Sequence, residues 1–340
     1  MYRAGLCCVL LSCVSLCAYG QHSESLNPPA SGGDFSTATE PLVKVPTGVI
    51  LVQGAWSSAS DSLTPVPESS SVSGNSFVDP YFGVSLPFPE GWIKGYDGPP
   101  PSDAGQYVLA QLNPSPTAKL ATRASILITA QDMFFTPLPA SNALQLVSYR
   151  KNNLQADYKL EEPPTATKIA GRPFTFFAYW SPAAQLHWYV LATEIRCHAV
   201  EIVLTSRDTK LIGNLLLELD KMTLPPEANP TGGTGGGDFP VCLKDYARAE
   251  NMTAKVEPVF TEHRVNPVPV RIIVDIKGKV KHIHFLSAFP DQTKEISDAL
   301  SQWRFKPYLQ EGHPVEVETG IMFGRSTSTA TTSARGASVE

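Results

Sequence analysis

"PVRIIVDIKGKVKHIHFLS", Pro269 to Ser287, carries the clearest fold signal in the chain. Apolar and polar residues alternate on either side of Lys277-Gly278-Lys279, and a glycine there supplies the positive φ of a tight turn, so the stretch reads as a β-hairpin. On its second arm Ile283 and Phe285 point to a core, while His282 and His284 share the other, half-solvated face. Downstream, "DQTKEISDALSQW" puts Ile296, Leu300 and Trp303 on one helical stripe, with Asp291 as the N-cap. "WRFKPYLQEGHPVEVETGIMF", Trp303 to Phe323, then supplies a closing hairpin that turns at Gln310-Glu311-Gly312-His313.

The chain around this unit divides by composition. "PPEANPTGGTGGGDFP" has almost nothing to bury, so residues 227–240 read as a Gly-rich linker between a domain at 77–226 and a smaller one at 241–324. In the first, "YFGVSLPFPEGW" (Tyr81 to Trp92) is a short strand closed by prolines and a Gly-Trp turn, and "YVLAQLN" and "ASILITAQDM" follow as strands. "SNALQLVSYRKNNLQ" reads as a helix capped by Ser141, with Leu144, Val147 and Leu154 near helical spacing. Hairpin-rich strands come next, then "DTKLIGNLLLELDKM", a helix capped by Asp208. This order predicts an α+β fold: an N-terminal α/β sandwich with an antiparallel sheet, then a small β-β-α-β domain.

At the start, an apolar run from Leu6 to Cys17 ends in Ala18-Tyr19-Gly20, the pattern of a secretory signal peptide over residues 1–20. Two alternatives stay open: an uncleaved inner-membrane anchor through residues 5–20, and a lipoprotein signal at Leu10-Leu11-Ser12-Cys13. Residues 21–76 read as a Ser/Pro-rich linker with one apolar island, "TGVILVQGAW", able to add as a strand to a later sheet. Residues 325–340 are nearly devoid of apolar side chains and read as a disordered tail. Four of the six cysteines lie in the leader, leaving Cys197 and Cys242. An oxidising compartment permits a disulfide between them, and the sequence does not decide whether it forms. The net charge of −5, without a Lys/Arg run, argues against nucleic acid or an anionic membrane surface as the partner.

Catalytic motifs are missing: the chain holds no GxSxG elbow, no P-loop and no HExxH. The glycines at 232–237 lack the strand and helix of a phosphate-binding loop. His282 and His284 sit at i and i+2, but a closed metal site needs further ligands, and nothing places His263 or His313 beside them. Glu161-Glu162 precede two prolines and read as solvated loop charges. "EIRCHAVEIVL" reads as a strand with Arg196 and His198 on one face and a buried Cys197 on the other. No catalytic residue, cofactor or metal is therefore expected. Phe174, Phe176, Trp188 and Tyr189 fill a sheet face or line a pocket. A pocket lined by Tyr179, Trp180, His187 and Trp188 would make the chain an envelope small-ligand binder or enzyme, and a third reading is an oligomerising structural protein.

The C-terminal stretch resembles the C-terminal domain of the TonB family, on a hairpin with a Gly turn, a helix running into Trp-Arg-Phe-x-Pro, and a Gly-x-Pro-Val step into a last strand ending in Phe. Gly278, Val280, Ala299, Trp303, Phe305, Pro307, Gly312, Pro314, Val315 and Phe323 carry it. The resemblance implies binding without catalysis: an exposed edge strand that accepts an extended peptide, in TonB a segment of an outer-membrane transporter. The candidate partner-binding residues are Val315, Val317, Thr319, Ile321 and Phe323; Gly278, Trp303, Phe305, Pro307, Gly312 and Pro314 form the structural motif. The implied protein is periplasmic, with an envelope partner such as a TonB-dependent transporter, and becomes a membrane-anchored energy transducer only if residues 5–20 are retained. The first domain is similar to PsbP/DcrB-type α/β/α sandwiches through Phe88, Pro89, Gly91 and Trp92.

Overall fold

The computed structural model describes residues 47–52, 57–96, 101–117, 123–225, 239–262 and 266–324. The leader at 1–20, the glycines at 232–237, His263 and the tail at 325–340 lie outside the described residues, as does most of 21–56.

Two short strands, β1 (Ile50–Leu51) and β2 (Ser58–Ala59), precede a small antiparallel meander of β3 (Ser71–Ser73), β4 (Ser76–Asp79) and β5 (Val84–Pro87). Next come β6 (Trp92–Tyr96), β7 (Gln106–Pro114), β8 (Ala124–Asp132), helix α1 (Ala143–Asn152), β9 (Lys159–Ile169), β10 (Arg172–Ser181), β11 (Leu186–Ile195), β12 (His198–Ser206) and helix α2 (Thr209–Leu219). The C-terminal part contains β13 (Val241–Cys242), β14 (Met252–Ala254), β15 (Val268–Val274), β16 (Val280–Phe285), helix α3 (Pro290–Leu300), β17 (Arg304–Phe305), β18 (Leu309–Gln310), β19 (His313–Pro314) and β20 (Val317–Phe323). The fold is α+β and mostly antiparallel.

The larger sheet runs β6-β7-β8-β12-β11-β10-β9. Its central strand β12 is buried at all nine positions, because both faces are covered. On one face Phe77, Leu86 and Trp92 pack with Ile212, Leu215 and Leu219 of α2. On the other, Leu146 and Val147 of α1 cover Phe177, Tyr179 and Trp188. Asp208 caps α2 as expected, accepting from the Lys210 amide. At α1 the cap is Asn142 in place of Ser141; Val147 is buried and Leu154 packs half-buried against the same cluster as expected, but Leu144 is exposed and Leu146 is buried in its place. Glu161 and Glu162 lie on the strand β9, not in a loop. That strand is the sheet's edge; Pro163 and Pro164 sit at an irregularity in the β9–β10 register, where neither has a registered partner, and charges discourage further pairing.

The smaller sheet runs β1-β2-β16-β15-β20-β13. β15, β16, α3 and β20 follow in the order strand, strand, helix, strand, with β20 returning beside β15 over seven registered pairs. Asp275 Oδ1 accepts the amides of Lys277 and Lys279 across the expected turn, and Gly278 sits at φ +77°. Ile296 and Leu300 of α3, with Trp303 and Phe305, fill the core on one side of the sheet. Asp291 lies in the first turn of α3 and is not its cap. Pro290 opens the helix, and the Gln292 side chain reaches back to the Phe289 amide. Trp303 Nε1 donates to the Val256 carbonyl, which pins the helix exit.

The expected linker at 21–76 ends too late. Ser57, Ser58 and Ala59 are buried, because β2 adds antiparallel to β16 with Ala59 opposite His284. Hydrogen bonds from Ser57 Oγ to Leu286 O and from Ile283 N to Ser60 Oγ hold a segment whose composition is too polar to suggest order. The apolar island thus supplies β1 and leads into an added strand.

Candidate functional site

The outer edge of β20, the implied partner-binding edge, is partly occupied by the chain itself. β13 lies parallel to it, with Val241 opposite Val317 and Cys242 opposite Glu318. Val241 N donates to Glu316 O at 2.8 Å, Leu243 N to Glu318 O at 2.9 Å, and Thr319 Oγ1 to Lys244 O at 3.3 Å. Beyond Glu318, no strand partner on this side appears among the described residues. Of the candidate residues, Val317, Thr319 and Phe323 are buried, and Val315 and Ile321 half-buried. Their side chains serve the core, so any recognition along this edge belongs to the backbone. Among the motif residues Gly278, Trp303 and Phe305 are buried, whereas Pro307, Gly312 and Pro314 are exposed.

On the face opposite α3, the small sheet meets the large one through a charge-balanced buried cluster. Arg271 of β15 donates from Nη1 to Asp132 Oδ2 at 2.7 Å and from Nε to Glu318 Oε1 at 3.1 Å. Arg196 binds the other oxygen of Glu318 through Nη2 at 2.8 Å and Nε at 3.1 Å. Tyr81 Oη donates to Glu318 Oε1 at 2.8 Å, and the Arg196 guanidinium lies 3.8 Å from the Tyr81 ring centroid. Burial pushes the Glu318 carboxyl up, but Arg271 and Arg196 outweigh it and hold the group well below the ordinary carboxylate range. Burial raises Asp132, against the pull of Arg271. Such a cluster stabilises little over an apolar core, yet removing one partner strands a buried charge. It joins the two sheets firmly.

His198 is fully buried beside this cluster, ringed by Tyr81, Phe82 and Tyr107. Its Nδ1 donates to the Arg196 carbonyl at 2.8 Å, and burial, reinforced by Arg271, drives its pKa well below the ordinary value, so the ring is neutral. Arg196 and Cys197 do not belong to a continuous strand. They form the two-residue turn between β11 and β12, closed by the Ile195–His198 pair. Both have positive φ, +49° and +54°, in a turn where glycine or asparagine is usual. Here the side chains are in use: Arg196 grips Glu318, and Cys197 forms a disulfide with Cys242 of β13.

Asp79 is a second buried acid. Its Oδ1 accepts the amides of Tyr81 at 2.9 Å and Phe82 at 3.1 Å, while Oδ2 has no hydrogen-bond partner. Burial raises its pKa to about 7, despite those two amides. It borders a void of about 10 Å³, the size of one water, lined otherwise by Phe77, Leu109, Ile128, Phe174 and Met222 among others.

His282 and His284 are buried, not half-solvated, because residues 57–69 cover them. His282 Nδ1 lies 2.8 Å from Asp61 Oδ2, and His284 Nε2 lies 3.1 Å from Glu68 Oε1. Among the described residues no group of three or more His, Cys, Asp or Glu side chains has the geometry to hold a metal. The pocket of Tyr179, Trp180, His187 and Trp188 does not form: Tyr179 and Trp188 are stacked 5.8 Å apart beneath α1, while Trp180 and His187 pair on the opposite face. Phe174, Phe176, Trp188 and Tyr189 are divided in the same way, with Trp188 alone on the α1 side.

Sequence reasoning passed over Asp79, Tyr81, Asp132, Arg271 and Glu318. One signal was present: Arg271 interrupts the apolar run Val268–Val274, and a central strand buried on both faces must give a lone Arg a buried counterion.

No helix among the described residues is long and apolar enough to cross a membrane. No family model matches the chain, and no curated protein sequence matches it. Among solved structures it is similar to cyanobacterial PsbP (CyanoP) from Synechocystis sp. PCC 6803, with 14% identity, 44% of this chain and 91% of the other covered, and a TM-score of 0.30. It is also similar to LpqN, involved in cell envelope biogenesis of Mycobacterium tuberculosis, with 12% identity, coverage of 42% and 83%, and a TM-score of 0.29. Likeness at this level carries no argument.

Proposed function

We propose that the protein is a non-catalytic binding protein of the cell envelope, which takes an extended segment of an envelope partner as an added strand on the outer edge of β20. The observation that carries this reading is the mismatch between a seven-residue strand and the two-residue β13 that covers its outer side. A strand edge offers amides and carbonyls to any extended chain of suitable shape. The fold already uses this mode in cis at its other edge, where β2 adds to β16. An outer-membrane transporter segment is the partner that the TonB-like motif implies.

A photo-crosslinking residue placed at Ile321, half-buried on the part of β20 that β13 leaves uncovered, in the full chain expressed in its native envelope, tests this. The reading expects a discrete adduct that maps to an extended partner segment, and none from the same residue at Leu160 on the charged edge β9. Adducts from both positions, or from neither, would count against it.

A further inference from the structure

We infer that β13 is a strap over the first part of the outer edge of β20, and that reduction of Cys197–Cys242 by a dithiol extends the open edge from residues 319–323 back to Glu316, lengthening the stretch that can take an extended peptide of another chain. The inference rests on the strand-addition reading and adds the condition under which the whole edge, rather than its second half, is free. The strap is weakly built apart from its covalent bond. It has two residues, it pairs in the parallel sense, and its ladder consists of the Val241 and Leu243 amide bonds to β20. Its side chains are only half-buried. On the opposite side β20 is held to β15 over its whole length, so release of the strap leaves the acceptor strand in place.

Both ends of the disulfide suit this use. Cys197 lies in the β11–β12 turn, which stays anchored without the bond because Arg196 keeps its two contacts with Glu318. Downstream of the strap, Tyr246 is buried against Phe305 with ring centroids 5.6 Å apart, and its hydroxyl donates to Lys306 O. Residues 241–245, between Phe239, whose ring centroid lies 5.2 Å from the Arg196 guanidinium, and Tyr246, can therefore leave β20 while the core stays closed. Cys197 and Cys242 are both half-buried, so neither end of the bond is sealed in a core. In the exchange, one thiolate of the dithiol attacks a sulfur of the pair, the Cys197–Cys242 bond breaks through a mixed disulfide, and the second thiol resolves it. Two electrons and two protons pass to the cysteines, and the dithiol leaves as its own disulfide.

The full chain is tested oxidised, after reduction by dithiothreitol, and as Cys197→Ser/Cys242→Ser, with folding of each form checked by circular dichroism. The probe is a labelled peptide of the strap's own sequence, Phe-Pro-Val-Ser-Leu-Lys, followed by fluorescence anisotropy. Amide exchange at Val241 and Leu243 is read in parallel. Reduction is expected to speed exchange at these amides by at least about tenfold and to tighten peptide binding by at least about tenfold over the oxidised chain. The double-serine chain should behave as the reduced one. Unchanged protection of Val241 and Leu243 after reduction would overturn the strap while leaving the β20 reading standing. Free exchange at those amides without peptide binding would overturn the edge as an acceptor, and with it the strand-addition reading. Equal peptide binding by the oxidised and reduced chains would overturn the redox control.

Discussion

Asp79 shows how one side chain can set a pH dependence. Its carboxyl has a pKa of about 7 in the fold and an ordinary value of 3.8, so the folded chain holds a proton that the unfolded chain has released between these limits. The stability this group contributes is complete below pH 3.8 and is lost as pH rises through 7, by up to about 1.4 kcal/mol per pH unit. His198 works in the opposite sense: the unfolded ring takes up a proton below its ordinary value of 6.5 while the folded ring stays neutral, so its contribution is lost as pH falls. The two slopes oppose each other in the parent protein. Asp79→Asn keeps an acceptor for the Tyr81 and Phe82 amides and removes one slope. Urea titrations at pH 4 to 8 should show the variant gaining on the parent as pH rises, and a constant difference would refute the assignment. Gly278 makes a steric case. A Cβ there would meet Phe305 O at 2.0 Å, at φ +77°, so Gly278→Ala should lower the stability by at least about 2 kcal/mol in the same assay. The need for glycine at this turn was readable from the hairpin pattern alone; the close approach of Phe305 was not.

Between elements, the buried cluster and the added strand are the points to probe. Arg271→Met leaves Asp132 without its cation and Glu318 with only Arg196, and should cost about 3–5 kcal/mol, measured by chemical denaturation. A loss below about 1 kcal/mol would mean that the cluster is more hydrated than its burial indicates. Ser60→Pro removes the Ser60 N–Ile283 O bond and the hydroxyl that accepts Ile283 N, so β2 should peel from β16 at a cost of about 2 kcal/mol. Limited proteolysis near residues 57–61 would reveal the freed strand, and unchanged resistance would count against the added-strand arrangement. Helices α2 and α3 and the β15–β16 hairpin were legible because their periodicity is local. The β11–β12 turn was not, since Arg-Cys carries none of the usual turn residues and its backbone is held by partners elsewhere in the fold.

Across the whole molecule, the covalent tie and the ion cluster make the two sheets one cooperative unit. Closing a 45-residue separation, the disulfide should contribute about 4 kcal/mol in the chain-entropy picture, so dithiothreitol should shift the urea midpoint down in a single transition. Two separated transitions in the oxidised protein would instead show sheets that unfold independently. The sequence by itself determined the α+β class, the hairpin around Gly278, the helix stripes and the expectation of an edge strand near the end. These rest on periods of two and 3.6 residues and on turn chemistry, which neighbouring residues carry between them. Only the tertiary structure decided that Cys197 meets Cys242, that β2 and β13 cover the small sheet's edges, and that Tyr81, Arg196 and Arg271 converge on Glu318. Those contacts join residues from 45 to 237 positions apart, where no local pattern specifies which groups meet, and burial obliges each charge to find its partner there.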